Sequence, residues 1–134
     1  MKIKRVEHVA IACRNMSDSM KMLESIFGFE KELEETIGTT NLAMYPVGET
    51  YIELLESSNP KSKIAELIKE KNQSLYHLCF EVDDIVSALD ELREKGVKLL
   101  DEVPRTGHGG AKIAFINPES TGDILIELTE LTHW

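Results

Sequence analysis

Short runs of alternating apolar and polar residues take turns along this chain with stretches in which apolar residues recur every three or four positions. Val6 to Cys13 alternates, with Val6, His8, Ala10 and Ala12 on one face and Glu7, Val9, Ile11 and Cys13 on the other. That is the pattern of a half-buried strand. A turn at Arg14-Asn15 leads to a helix from about Ser17 to Ile26, capped by Ser17 or Asn15 and stopped by Gly28. Its expected buried stripe is Met20, Leu23 and Phe27. A charged strand over Phe29 to Thr36 follows. Asn41–Tyr45 and Thr50–Glu56 read as strands joined by Pro46-Val47-Gly48-Glu49. Asn59 as a cap and Pro60 in the first turn predict a linker helix from roughly Pro60 to Glu70, with Ile64, Leu67 and Ile68 inward.

The second half repeats this grammar. Leu75 to Val82 is a strand, Asp84 caps a helix holding Ile85, Leu89 and Leu92, and Gly96 ends it. Val97–Glu102 reads as a strand, Pro104–Gly110 as a Gly-rich loop, and Ala111–Asn117 and Asp123–Glu130 as the last strands. The copies are offset by 69 residues at His8 and His77 and by 74 at Glu53 and Glu127, with the drift confined to turns. The expectation is an α+β chain of two tandem βαβββ modules forming a mixed, barrel-like curved sheet. One domain spans residues 1–134, with repeat 1 over about 3–57, the linker helix over about 59–71 and repeat 2 over about 74–131. A unit of this size buries little alone, and pairing two gives a larger shared core.

Composition narrows the partners. The 134 residues carry Lys+Arg 15 against Asp+Glu 24, a formal net charge of −9. Such a surface repels phosphate backbones and anionic membranes, so neither nucleic acid nor membrane is expected as a partner. No apolar run is long enough to span a bilayer and no signal-peptide pattern opens the chain, which points to the cytoplasm. Cys13 and Cys79 lie in apolar strands without a CxxC or zinc-finger spacing, and read as buried reduced thiols.

The chemistry lies in what recurs. The first strand of each copy carries a histidine, His8 and His77, and the last strand a glutamate flanked by Ile and Leu, Glu53 and Glu127. An ionised carboxylate among apolar residues is costly unless a cation or hydrogen bonds compensate it. A lone histidine or glutamate in a strand is ordinary, but this match is fourfold. A divalent metal at a pseudo-twofold axis would satisfy all four side chains. Imidazole nitrogen and carboxylate oxygen suit Mn, Co, Ni, Fe or Zn without selecting among them.

Several segments carry a resemblance over nearly the whole chain. They are His8-Val9-Ala10-Ile11-Ala12, Glu81-Val82-Asp83-Asp84-Ile85, Gly109-Gly110-Ala111-Lys112-Ile113-Ala114-Phe115, and Asn117 to Gly122 running into Leu125-Ile126-Glu127-Leu128. With these the sequence resembles the vicinal oxygen chelate superfamily (glyoxalase, bleomycin resistance and dioxygenase proteins), and within it the methylmalonyl-CoA epimerases. The resemblance implies a metal (Co, Mn, Ni or Zn) on His8, His77 and Glu127, with Glu53 as fourth ligand. It implies epimerisation between the (2R) and (2S) forms of an acyl-CoA substrate by proton abstraction through a stabilised enolate. Glu127 and Glu53 are then the candidate acid/base pair, on opposite sides of the metal, and a homodimer is expected. Lys112, Asn41, Gly109 and Gly110 fall where substrate contacts are expected, and the loop around His108 is placed to cover the site.

The chain departs from the epimerases at Asn72–His77, where Tyr76 replaces a histidine and glycines are absent, and at Asn41, where some place a glutamate base. Glyoxalase I chemistry is the nearest alternative, since it uses the same metal and a proton transfer. A ring-cleaving dioxygenase is disfavoured by the length. A non-catalytic small-molecule binding module on this fold is disfavoured because His8, His77 and Glu127 are all kept. His133, near the C-terminus, is assigned no role.

Overall fold

A computed structural model describes residues 1–132 of the chain, and His133 lies outside the described residues. The elements run β1 (Ile3–Cys13), α1 (Met16–Phe27), β2 (Leu33–Ile37), β3 (Thr40–Val47), β4 (Thr50–Ser57), α2 (Lys63–Leu67), β5 (Gln73–Val82), α3 (Ile85–Glu94), β6 (Arg105–Thr106), β7 (Lys112–Ile116) and β8 (Ile126–Glu130). The fold is α+β, and the order strand, helix, three strands occurs twice. The chain divides into two compact units, one of residues His8–Tyr76 and the other of Met1–Glu7 with the chain from His77 onward. None of the described helices is long and apolar enough to cross a membrane.

In the unit His8–Tyr76 the strands lie in the order β2-β3-β4-β1. β1 and β4 are parallel, while β3 is antiparallel to both of its neighbours. Strand alternation gives this sheet two different faces. Cys13, Ala43, Tyr45 and Leu54 pack under Met16 and Leu23 of α1, while Ala10, Ala12, Leu42, Met44 and Leu55 pack with Ile64 of α2 on the other side. Asn15 caps α1, its side chain accepting from the Asp18 amide, and Gly28 closes it at φ 70°, a left-handed value that costs glycine little.

α1 buries Met16, Ser19 and Leu23, and of the expected stripe of Met20, Leu23 and Phe27 the half-buried Met20 packs against the same cluster while Phe27 does not. Phe27 is 59% exposed and stacks on Phe29 at the end of the helix instead of entering the core. The linker helix is shorter than expected and starts later. Ser62, not Asn59, caps it, and the Asn59 side chain instead accepts from the Lys61 amide in a turn ahead of the helix. Ile64 of the expected stripe is buried.

In the other unit the order is β5-β8-β7-β6, with β5 and β8 parallel and the remaining pairs antiparallel. Val82, Ala114, Ile116 and Leu128 pack against Ile85, Ala88, Leu89 and Leu92 of α3. The expected strand at Val97–Glu102 is reduced to one bridge, Leu99 to Ile116. The reason is local. Both the Leu100 and Asp101 amides donate to the Phe115 carbonyl, and the Asp101 carboxylate accepts the Phe115 amide at 2.8 Å. A side chain thus takes a bond that a ladder would have given to backbone.

Asp84 caps α3, its carboxylate accepting from the Ser87 amide at 3.1 Å and the Ser87 hydroxyl at 3.0 Å. The backbone bond first, and then the hydroxyl, hold its carboxyl below the usual carboxylate range. A depressed folded value gives stability that is present above the ordinary carboxylate range and lost as pH falls through the depressed value. Asp84→Ala is therefore expected to lower the thermal midpoint at neutral pH. The gap to the parent should close toward strongly acidic pH, as followed by circular dichroism melts.

Candidate functional site

In each unit the first strand runs parallel to the last, and this pairing builds a His–Glu pair. The β1/β4 register sets Ala10 beside Glu53, with His8 two residues earlier on the same face. The β5/β8 register sets Cys79 beside Glu127, with His77 two residues earlier. The repeat therefore holds to the residue. Nε2 of His8 lies 3.3 Å from Oε1 of Glu53, and Nε2 of His77 lies 3.1 Å from Oε1 of Glu127. All four side chains are buried, the carboxylates at 4% exposure each. Carboxylates removed from water to this degree need positive charge or strong donors nearby. Each unit thus holds a buried pair of donors, imidazole nitrogen and carboxylate oxygen, of the type that takes a divalent first-row metal.

A second correspondence supports the strands that carry these pairs. Three residues after each glutamate comes another, Glu56 and Glu130, which the odd spacing turns to the opposite face. Glu56 accepts the Met16 amide at 2.8 Å and Glu130 accepts the Ile85 amide at 3.0 Å. Each closing strand therefore satisfies the first amide of the helix in its own copy, where a carboxylate also suits the helix dipole.

Around His77 the face is polar but enclosed. Cys79 and Glu81 continue along β5, Thr129 lies beyond Glu127, and Phe115 of β7 pairs with Glu127. The Phe115 ring meets the His77 ring edge-on, with centroids 5.1 Å apart and planes at 84°. That contact limits how the imidazole can turn. Glu81 is held by Arg5 Nε at 2.8 Å and faces Lys4 Nζ at 3.8 Å. Glu7, also buried, lies 3.8 Å from Arg5 and 3.6 Å from Nε2 of His108. The loop expected to cover the site thus brings its histidine beside β1, at the residue before His8. Gly109 and Gly110 form its turn, at φ 61° and 78°.

Two of the residues expected to touch substrate face elsewhere. Lys112 pairs with Glu130 in the ladder and its Nζ lies 3.9 Å from that carboxylate, on the side of α3. Asn41 pairs with Glu56 and donates to it at 3.2 Å, on the α1 side of β3, whereas Glu53 pairs with Met44. Asn41 there lines a cleft of about 440 Å³ with Met16, Met20 and Glu34.

The Glu53 and Glu127 faces carry residues that the sequence pattern did not single out. Glu35 pairs with Leu42, which pairs with Leu55, so its half-buried carboxylate shares the face of His8 and Glu53. The alternation of Leu33, Glu35 and Ile37 was the available signal, masked by the charged run Glu30–Glu35. Phe115 and Thr129 were signalled only by lying on the same face as Glu127.

The sequence matches the Glyoxalase/Bleomycin resistance protein/Dioxygenase superfamily over residues 7–115. It is 34% identical over 135 residues to the mitochondrial methylmalonyl-CoA epimerase of Dictyostelium discoideum, covering 96% of this chain and 79% of the relative. The ethylmalonyl-CoA/methylmalonyl-CoA epimerase of Cereibacter sphaeroides is 32% identical over 135 residues, covering 96% and 99%. A methylmalonyl-CoA epimerase solved in complex with methylmalonyl-CoA and NH4+ superposes with a TM-score of 0.90 at 26% identity, over 96% of this chain and 95% of the other. With its doubled strand–helix order and its His–Glu pair in each copy, the chain belongs to the glyoxalase/bleomycin resistance protein/dioxygenase superfamily.

Proposed function

We propose that this protein is a divalent-metal-dependent epimerase that interconverts the (2R) and (2S) forms of methylmalonyl-CoA. The observation that carries the reading is the residue-for-residue recurrence of the buried His–Glu pair. Similarity to epimerases of this substrate along almost the whole chain supports it. In this reading His8, Glu53, His77 and Glu127 serve one cation. The donors fit such an ion, because imidazole and carboxylate are its usual ligands and the buried carboxylates are costly without positive charge.

A bound divalent cation supplies Lewis acidity, which lowers the cost of negative charge on the thioester and carboxylate oxygens of the substrate. The rest falls to the chain. Inversion removes the α-proton from one face and returns a proton to the other, so it needs acid/base groups on two sides. Glu127 and Glu53 are the proposed pair, related by the repeat. Glu35 is a further carboxylate on the Glu53 face. Phe115 fixes the His77 ring, and the burial of this face keeps water from the reacting carbon. A cytoplasmic homodimer is part of the same reading. Its compartment is supported by Cys13 and Cys79, which are buried thiols and not a disulfide, and its assembly by the habit of the superfamily.

The test is deuterium uptake at the α-carbon of methylmalonyl-CoA in D2O, before and after chelation and reconstitution with Co or Mn. Uptake that requires the metal is expected. Absence of uptake above background in the reconstituted protein, with turnover of the glutathione hemithioacetal of methylglyoxal instead, would replace this reading with glyoxalase chemistry. Glu35→Gln is expected to lower uptake by at least about tenfold if Glu35 shares in proton transfer. A rate within twofold of the parent would assign that role to Glu53 and Glu127 alone.

A further inference from the structure

We propose that Arg105, and not the lysine of the neighbouring glycine-loop motif, is the residue that fixes the anionic arm of the substrate, by pairing with a phosphate of the CoA moiety. The inference rests on the epimerase reading above and names a recognition element for it.

The two cations at this edge of the sheet, Arg105 and Lys112, point to opposite faces. β6 is only Arg105–Thr106, paired with β7 so that Arg105 faces Ile113 and Thr106 faces Lys112. Side chains of paired residues share a face, and faces alternate along a strand. Lys112 therefore shares its face with Ala114 and Leu128, toward α3, and its ammonium lies near Glu130. Arg105 shares its face with Ile113, Phe115, Thr129 and Glu127. A contact agrees with this: Cζ of Arg105 sits 5.5 Å from the centroid of the Phe115 ring. That ring also meets His77 edge-on. Guanidinium, phenyl and imidazole thus follow one another on the face that carries Glu127.

The guanidinium is held but not used up. Nε donates to Oδ1 of Asp101 at 3.2 Å, while Oδ2 of Asp101 accepts the Phe115 amide. One carboxylate therefore fixes both the cation and the strand on which it stacks. Among the described residues no bond is made by Nη1 or Nη2, and the side chain is 56% exposed. A fork of donors, fixed at its base and open at its tip, matches the geometry of a phosphate. The Phe115 ring stands between it and the imidazole, so its anion is not the group at the reacting carbon. An extended thioester with its acyl end at the glutamates and its phosphates further out meets this arrangement. The formal charge of −9 adds weight, since an anionic ligand approaching this chain needs a local cation.

The experiment measures CoA binding directly by calorimetry at low salt, and turnover with two substrates. One is methylmalonyl-CoA and the other the methylmalonyl thioester of pantetheine, which keeps the acyl carboxylate but lacks phosphate. Arg105→Ala is expected to weaken CoA binding by roughly tenfold to a hundredfold, the range of a charge-assisted pair. It should raise KM for the CoA thioester and leave kcat, and all turnover of the pantetheine thioester, unchanged. Arg105→Lys should recover part of the affinity, and Lys98→Ala, which removes a surface cation paired with Glu119, should change it little.

Unchanged CoA affinity in Arg105→Ala, in a protein with the parent circular dichroism spectrum, overturns the proposal. Equal loss with the pantetheine thioester also overturns it, assigning Arg105 to the acyl carboxylate. If the parent binds CoA through Arg105 yet exchanges no α-proton, the epimerase reading falls while the phosphate contact stands.

Discussion

Glu127→Gln is expected to reduce α-proton exchange by about 10²–10⁴-fold, the usual contribution of a positioned acid or base. The substitution removes the carboxylate's charge and basicity but keeps its shape, in a position only 4% exposed. The glutamine oxygen can still take the place 3.1 Å from Nε2 of His77, so the packing of the pair is kept. Folding should survive, because removing a buried charge relieves a desolvation cost. Metal content should drop as well, since a neutral amide oxygen is a weaker ligand than a carboxylate. Deuterium exchange, metal analysis by mass spectrometry and a thermal melt on one preparation check all three. Exchange within a few-fold of the parent in the metal-loaded variant would remove Glu127 from the chemistry. The same assay on Glu53→Gln, run from each stereoisomer, reads the division of labour. Two bases on two faces demand opposite isomer preferences in the two variants, and equal exchange of both isomers in both would sink that version.

Leu89→Ala is expected to cost about 2–5 kcal/mol of unfolding free energy. Leu89 is 1% exposed at the middle of α3, packed with Val82, Ala114, Ile116 and Leu128 under the sheet that carries His77 and Glu127. The truncation removes transfer energy and leaves a hole that strands on one side and a helix on the other cannot both close. Leu100→Ala, at a side chain 54% exposed, should stay within about 0.5 kcal/mol of the parent. Urea unfolding followed by circular dichroism measures both, and a loss under about 1 kcal/mol for Leu89→Ala would show that α3 packs more loosely than its burial implies.

What could be read from the sequence follows from where its signals are local. The alternation in Val6–Cys13 and the residues around His77 and Glu127 states a face directly, and His8, Glu53, His77 and Glu127 all lie where it puts them. Asp84 and Gly96 bracket α3 because capping chemistry is decided within a few residues. The misses have a different origin. Asn59-Pro60 is a good helix start in isolation, but Asn59 serves a turn and Ser62 makes the cap. The absent strand at Val97–Glu102 turns on Asp101, whose side chain takes a ladder partner from across the unit. Arg105 was hidden for the same reason. Its direction depends on a two-residue pairing with β7, which no pattern within Pro104–Gly110 announces. Lys112 drew attention by its motif, and ladder parity turns it to the other side.

The paired glutamates three residues apart, Glu53 with Glu56 and Glu127 with Glu130, have a consequence for how the chain avoids folding wrongly. Sliding β4 or β8 by one position would exchange its two faces. The slip would carry Glu53 or Glu127 away from its histidine and, in the same movement, strip the first amide of α1 or α1's counterpart α3 of its acceptor. A near-native chain with a displaced ligand strand would therefore be penalised twice, once at a donor pair and once at a helix start. The correct alignment is checked by contacts on both sides of the strand, so a misaligned copy cannot persist as a quiet, inactive isomer of the fold.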